Sequence, residues 1–367
     1  MQSAKIKYVI GVKGDFISTM RDRVAQYFEA HKISKFGNFN MVIKSIFMLS
    51  LYLIPYFLII TGVVSNDWMI LLLWIIMGLG SAGIGLSIMH DANHGSYSKN
   101  VYVNRILGYL LNLIGGSAVN WKIQHNYLHH GYPNIDGMDE DINPGIVMRL
   151  SPHQKLYKLH KWQHIYGWFI YGLMTLSWVT SKDYAQLKRY KDEGLLTKQN
   201  RSYGWLLAEL IIFKIVFFTY LLIIPIIFSE TIWWKTILFF ACMHFVQGFI
   251  LTVIFQSAHV MPTSQYPVPD NDGQVNNSWA IHQMVTTTDF SPKSRIFSWY
   301  IGGLNYQIEH HLFPNICHVH YKKLSEIIKR TAKEYGIPYN VQPDFISALI
   351  NHWRMLKRLG REELVKI

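Results

Sequence analysis

The stretch Gln307-Ile308-Glu309-His310-His311-Leu312-Phe313-Pro314 carries two adjacent imidazoles three and four residues after an amide. On a helix those spacings bring Gln307, His310 and His311 onto one face. Two earlier sets match it, His90-Asp91-Ala92-Asn93-His94 and His125-Asn126-Tyr127-Leu128-His129-His130. The i,i+4 spacing of His90/His94 and of His125/His129 points each pair at one ion, with His130 angled aside toward a second. Each set lies just beyond an apolar segment. The arrangement predicts a polyhistidine metal centre at one surface of a membrane.

Composition supports that environment. Half of the 367 residues are hydrophobic and only 16% are charged, against roughly 25% in an ordinary soluble domain. The expected class is therefore an all-α integral membrane protein. The net charge of +12 is spread along polar segments without a compact basic run, which favours an anionic membrane surface or an acidic protein partner over nucleic acid. Cys242 and Cys317 are the only cysteines, and they form no Cys-x-x-Cys. A disulfide framework, a thiolate zinc site and an iron–sulfur cluster are all disfavoured.

Four spans are expected at about 42–64, 68–89, 205–228 and 232–255, each long enough to cross roughly 30 Å of hydrocarbon at ~1.5 Å per residue. They pair as two hairpins around Ser65-Asn66-Asp67 and Ser229-Glu230-Thr231, turns without Lys or Arg. The positive-inside rule then puts both termini and all the histidine sets on the cytoplasmic side. Residues 106–119 are apolar but too short to span, so a re-entrant helix is expected there. Residues 1–40 read as a cytosolic or interfacial segment, with Lys5, Lys13 and other basic residues outnumbering acids. A helix with Phe16, Met20 and Val24 on one face lies either on the headgroups or against the cytosolic part. Residues 41–339 form the main domain and 340–367 a cytosolic helical tail. The expected architecture is two transmembrane hairpins beneath a cytosolic helical cap that holds the metals.

His90, His94, His125, His129, His130, His259, His310 and His311 are too many ligands for one ion, so two are implied. Zinc sites usually take four ligands, whereas a nitrogen-rich di-iron centre that activates O2 suits this set. Gln307 is a direct or water-mediated ligand. Asp91, Asp141, Asp289 and Glu309 are candidates to orient imidazole N–H groups. His282, His318 and His320 lie near enough to assist, while His153, His160, His164 and His352 are expected at the surface. Lys44 and Lys235 are expected to snorkel, and Lys214 and His244 lie deeper in the spans.

The three boxes in this order, ending in Gln-Ile-Glu-His-His-Leu-Phe-Pro, resemble the membrane fatty acid desaturases. Gln307 in place of the first histidine of the third box resembles the front-end subgroup, which inserts a double bond between an existing one and the carboxyl end. Trp121-Lys122-Ile123-Gln124-His125-Asn126 and Pro314-Asn315-Ile316-Cys317-His318 also look like the family's box surroundings. The resemblance implies the eight histidines as ligands of two iron ions, O2 as oxidant, and a narrow tunnel for a fatty acyl substrate carried as acyl-CoA or phospholipid. No His-Pro-Gly-Gly haem signature occurs in the chain, so a separate cytochrome b5-like or ferredoxin-like electron donor is expected, and a bacterial cytoplasmic membrane is favoured over the endoplasmic reticulum. The competing expectations are a hydroxylase on the same scaffold and a non-enzymatic metal-handling membrane protein.

Overall fold

The computed structural model describes residues 6–9, 15–199 and 201–361. Lys5 and Lys13, as well as the last residues of the expected C-terminal tail, lie outside them. The main helices are α1 (Phe16–His31), α2 (Phe39–Ile60), α3 (Asp67–Asn93), α4 (Val101–Gly108), α5 (Gln163–Gly172), α6 (Asp183–Asp192), α7 (Tyr203–Phe228) and α8 (Trp233–His259). They are followed by α9 (Trp279–Thr286), α10 (Gln307–Leu312), α11 (Tyr321–Glu334) and α12 (Phe345–Leu359). Among the described residues the four strands are two residues each: β1 (Lys7–Tyr8) pairs in parallel with β2 (Gln274–Val275), and β3 (Asp289–Phe290) with β4 (Val341–Gln342). The chain divides into two compact units, one of residues 39–123 and 168–253 and one of residues 1–38, 124–167 and 254–367.

The first of these units holds α2, α3, α7 and most of α8, the four helices long and apolar enough to cross a membrane. Their outer faces expose large apolar side chains such as Ile46, Phe57, Leu72, Ile212 and Ile215, while Trp68, Trp205, Trp233 and Trp234 stand exposed near helix ends. An apolar band rimmed by indoles is what a lipid environment selects. Asn66 starts α3 by accepting from Trp68 N at 3.0 Å and Met69 N at 3.2 Å, which satisfies backbone donors that the helix leaves open. The glycines of α3 permit close packing: a Cβ on Gly80 would lie 2.7 Å from Tyr52 N of α2, and one on Gly78 2.7 Å from Met243 O of α8.

Several buried charged and polar side chains in this unit are paired. Lys214 Nζ donates to Asp183 Oδ2 at 2.6 Å, Gly115 O at 2.6 Å and Trp178 O at 2.8 Å. It ties α7 to α6, a packing role for a residue that sequence left open. His244 shares a contact with Thr175, Nδ1 to Oγ1 at 3.2 Å. Lys235 pairs with Asp67. Lys44, expected to snorkel, is buried at 1% exposure instead. The single helix expected over 106–119 is broken: α4 is followed by the helical turn Leu110–Leu113, the chain breaks at Gly115, whose φ of +93° takes it out of helical geometry, and a further helical turn forms at Ala118–Trp121.

The other unit is built around Ile308, Leu312, Met284, Tyr321, Leu324 and Ile328. Helix α1 packs here through Phe16, Met20 and Val24, and Arg23 reaches Glu334 of α11 at 2.6 Å. Helix α12 starts with Asp344 accepting from Ser347 N at 2.7 Å. It is fastened to the rest of the unit, since Gln163 Nε2 donates to Leu356 O at 2.9 Å and Arg149 to Leu359 O at 2.7 Å. Three histidines expected at the surface, His160, His164 and His352, are buried. His160 meets Ile146 O at 2.9 Å and His352 meets Val260 O at 2.9 Å, so each buried ring finds a main-chain carbonyl partner.

Candidate metal centre

Local backbone form decides which imidazoles meet. Residues Lys122–His129 are π-helical, and His130 N bonds to His125 O, five residues back, at 2.9 Å. In such a turn residues five apart share a face, a feature common at functional sites. His125 and His130 therefore converge, Nε2 to Nε2 at 3.2 Å. His125 and His129, with Asp141, still keep ligand atoms within 4.8 Å of one another, so the π-turn adds His130 to the i,i+4 pair, and His129 also turns toward His259 and His311.

Helix α10 brings the third set to the second. His310 Nε2 lies 2.9 Å from His130 Nε2 and 3.4 Å from His125 Nε2. Three ring nitrogens thus form a triangle with edges of 2.9 to 3.4 Å. Protons on neutral imidazoles cannot satisfy all three edges. A shared cation can, because metal–nitrogen bonds of roughly 2.1 Å set adjacent ligand nitrogens about 3.0 to 3.4 Å apart. His129, His259 and His311 form a second group, with one ligand nitrogen each and all three within 4.8 Å of one another. All six rings are at most 5% exposed.

The opposite nitrogens of four rings are held by polar partners. His129 Nδ1 faces Asp139 Oδ1 at 3.0 Å, His311 Nδ1 faces Gln283 Oε1 at 2.8 Å, His310 Nδ1 faces the Tyr321 hydroxyl at 3.2 Å, and His259 Nδ1 faces Thr286 O at 3.3 Å. Fixing Nδ1 turns Nε2 inward, which is how ligating histidines are usually oriented. These donor sets, nitrogen-only and buried, fit a pair of first-row metal ions.

The supporting residues differ in part from those expected. Asp139 is the closest carboxylate to His129, and Asp141 is more distant at 3.5 Å. Asp139 also accepts from Asn134 N at 2.8 Å and Asp141 N at 3.0 Å. Burial disfavours the His129 imidazolium, but the Asp139 and Asp141 carboxylates outweigh it and hold the pKa at about 9. The acidic run Asp136 to Asp141, which begins seven residues after His129 in a chain poor in charge, is the available signal for Asp139. Gln283 and Thr286 of α9 had no sequence signal beyond their helix.

Asp289 and Glu309 anchor the histidine helix rather than an imidazole. Asp289 Oδ1 accepts from Ile308 N at 3.0 Å, while the Tyr339 hydroxyl meets Asp289 Oδ2 at 2.5 Å and Glu309 Oε1 at 3.0 Å. Burial pushes the Asp289 carboxyl up to about 6 and Glu309 well above the carboxylate range, the latter also because Asp289 is its neighbour. Gln307 is buried at 1% exposure, with its amide nitrogen donating to Leu304 O at 2.8 Å. His282 bonds Pro133 O at 2.8 Å and His320 bonds Phe36 O at 3.3 Å. His90 and His94 belong to the membrane-helix unit. They end α3 one turn apart, ring centroids 4.8 Å from each other and 5.5 and 5.6 Å from Trp121, with the Asp91 carboxylate 3.8 Å from His90 Nδ1.

Comparison with known proteins gives a consistent result. Residues 66–343 match the family model described as fatty acid desaturase. The chain is 34% identical to the sn-1 linoleoyl-lipid 6-desaturase of Arthrospira platensis, over 98% of this chain and 96% of that protein. It is 32% identical to the protein of the same name from Synechocystis sp., over 95% and 96%, and 34% identical to the acyl-lipid (8-3)-desaturase of Physcomitrium patens, over 99% and 75%.

Proposed function

The chain belongs to the fatty acid desaturase family, and on that premise we propose that it inserts a cis double bond into an acyl chain carried by a membrane lipid, on the carboxyl side of an existing double bond. The names of the Arthrospira and Synechocystis relatives specify a lipid-bound linoleoyl chain and position 6. Gln307 at the head of the third box supports the same front-end regiochemistry. The proposed ligands are His90, His94, His125, His129, His130, His259, His310 and His311, with Gln307 bound directly or through water.

The observation that carries the reading is the double grouping of buried imidazoles, each group facing inward through ring nitrogens. Held by these imidazoles, two iron ions would supply the O2 chemistry for removing two hydrogens from adjacent methylenes. The balance requires two electrons and two protons from outside and yields two waters. Asp139, Gln283, Thr286 and Tyr321 hold the imidazoles in place, and the burial of the rings excludes bulk water. A methylene offers no polar handle, so the position of the new bond follows from how deep and in what shape the acyl chain is held. The electrons come from a separate cytochrome b5-like or ferredoxin-like protein. On this reading the protein sits in a bacterial cytoplasmic membrane, and the histidines are on its cytosolic side because the turns 65–67 and 229–231 carry no Lys or Arg.

The test is expression in a host that supplies polyunsaturated precursors, with double bonds mapped by gas chromatography and mass spectrometry of lipid-class fractions. A new double bond on the carboxyl side of an existing one, formed first in phospholipid and absent in His310→Ala, is expected. An alcohol product would assign a hydroxylase, and a double bond on the methyl side would overturn the front-end reading.

A further inference from the structure

The desaturase reading requires an outside source of electrons, and on that reading we propose where the source docks: an acidic electron-transfer protein binds the depression between α11 and the turn that follows it. This depression, of about 570 Å³, is lined by Lys329, Lys333, Gly336, Ile337, Pro338 and Tyr339. Both lysines are exposed, and Lys329 Nζ sits 6.0 Å above the Tyr339 ring.

Charge selects the partner. The two acids of α11 are already engaged, Glu326 by Lys323 at 3.3 Å and Glu334 by Arg23 at 2.6 Å. Lys322, Lys329, Arg330 and Lys333 therefore present positive charge from one exposed helix. The lining of the depression contains no acidic residue. Complementarity of this kind sets association rate and orientation for a partner bearing carboxylates.

Position selects the role. Tyr339 lines the depression, and its hydroxyl touches Glu309 Oε1 at 3.0 Å and Asp289 Oδ2 at 2.5 Å. Glu309 is the peptide neighbour of His310, and Asp289 holds Ile308 N of the same helix. One side chain thus links this basic surface to the helix that carries His310 and His311. A donor seated here therefore rests on the surface that Tyr339 joins, through Glu309 and Asp289, to the histidine helix.

The experiment uses the purified full-length protein in nanodiscs, with a soluble cytochrome b5 domain and a plant-type ferredoxin as separate acidic probes. Binding is measured at low and moderate salt, and double-bond formation is driven either by the reduced probe or by dithionite. The account expects wild-type binding of one probe to weaken steeply with salt. It expects Lys329→Glu/Lys333→Glu to weaken that binding by about tenfold or more, and to lower probe-driven turnover much more than dithionite-driven turnover. Lys329→Gln/Lys333→Gln, a milder change on the same surface, shows the same direction. Lys155→Glu/Lys158→Glu serves as the control. Unchanged binding in both α11 variants, an equal loss in the control, or no binding of either probe to wild type overturns the proposal. Binding lost in the α11 variants, with no double bond from wild type under either reductant, leaves the docking site standing and removes the desaturase reading.

Discussion

His129 Nδ1 lies 3.0 Å from Asp139 Oδ1, and both side chains are buried. That contact fixes which nitrogen of the imidazole faces His259 and His311. It also places a carboxylate behind a ligand, an arrangement that raises the basicity of the ring and stabilises a bound cation.

Replacing Asp139 by Asn keeps the shape and removes the charge. Metal affinity is expected to fall by about 10- to 100-fold, the usual cost of losing such a partner. Iron retained after graded chelator challenge, measured by plasma emission spectroscopy on folded protein, checks this. Iron retention equal to wild type would reduce Asp139 to a loop anchor for Asn134 N and Asp141 N.

The Lys214–Asp183 pair is buried and separated by 2.6 Å. Lys214→Met leaves the Asp183 carboxylate in an apolar setting and also leaves Gly115 O and Trp178 O without their donor. The loss is expected to be about 3 to 5 kcal/mol, and Lys214→Met/Asp183→Leu recovers part of it. Thermal challenge followed by fluorescence-detected size exclusion reads both. A Lys214→Met protein as heat-stable as wild type would deny the pair its fastening role.

Gly80 and Gly204 make opposite predictions for the same change. A Cβ on Gly80 meets backbone of α2 at 2.7 and 2.8 Å, whereas one on Gly204 meets nothing within 4 Å. Gly80→Ala is expected to lower stability by about 1 to 3 kcal/mol through overpacking. Gly204→Ala, near the exposed start of α7, is expected to be neutral or to stabilise by up to about 1 kcal/mol. The same size-exclusion assay compares them, and equal behaviour would contradict the close α2–α3 approach.

Sequence revealed much of this protein because its two signals are local. Apolar runs long enough to span a membrane marked α2, α3, α7 and α8 to within a few residues, and the spacing of His310 and His311 from Gln307 marked the helix α10. The partition of the second histidine set was not legible. It depends on a π-helical stretch, which adds an i,i+5 relation of His125 and His130 to the i,i+4 relation of His125 and His129. Residues 106–119 lost their single helix at a glycine whose conformation no apolar count reveals. The supporting residues Asp139, Gln283, Thr286 and Tyr321 come from three other segments, so only the folded chain brings them to the rings. Buried His160 and His352 read as surface residues in sequence because their carbonyl partners lie 14 and 92 residues away.

The most direct test of the metal centre is the iron content per chain of protein purified from iron-replete cells, measured for wild type, His129→Ala and His130→Ala. The account predicts two irons per wild-type chain, with each variant losing at least one and losing double-bond formation. A wild-type protein that makes double bonds without iron, or variants that keep both irons, would contradict it.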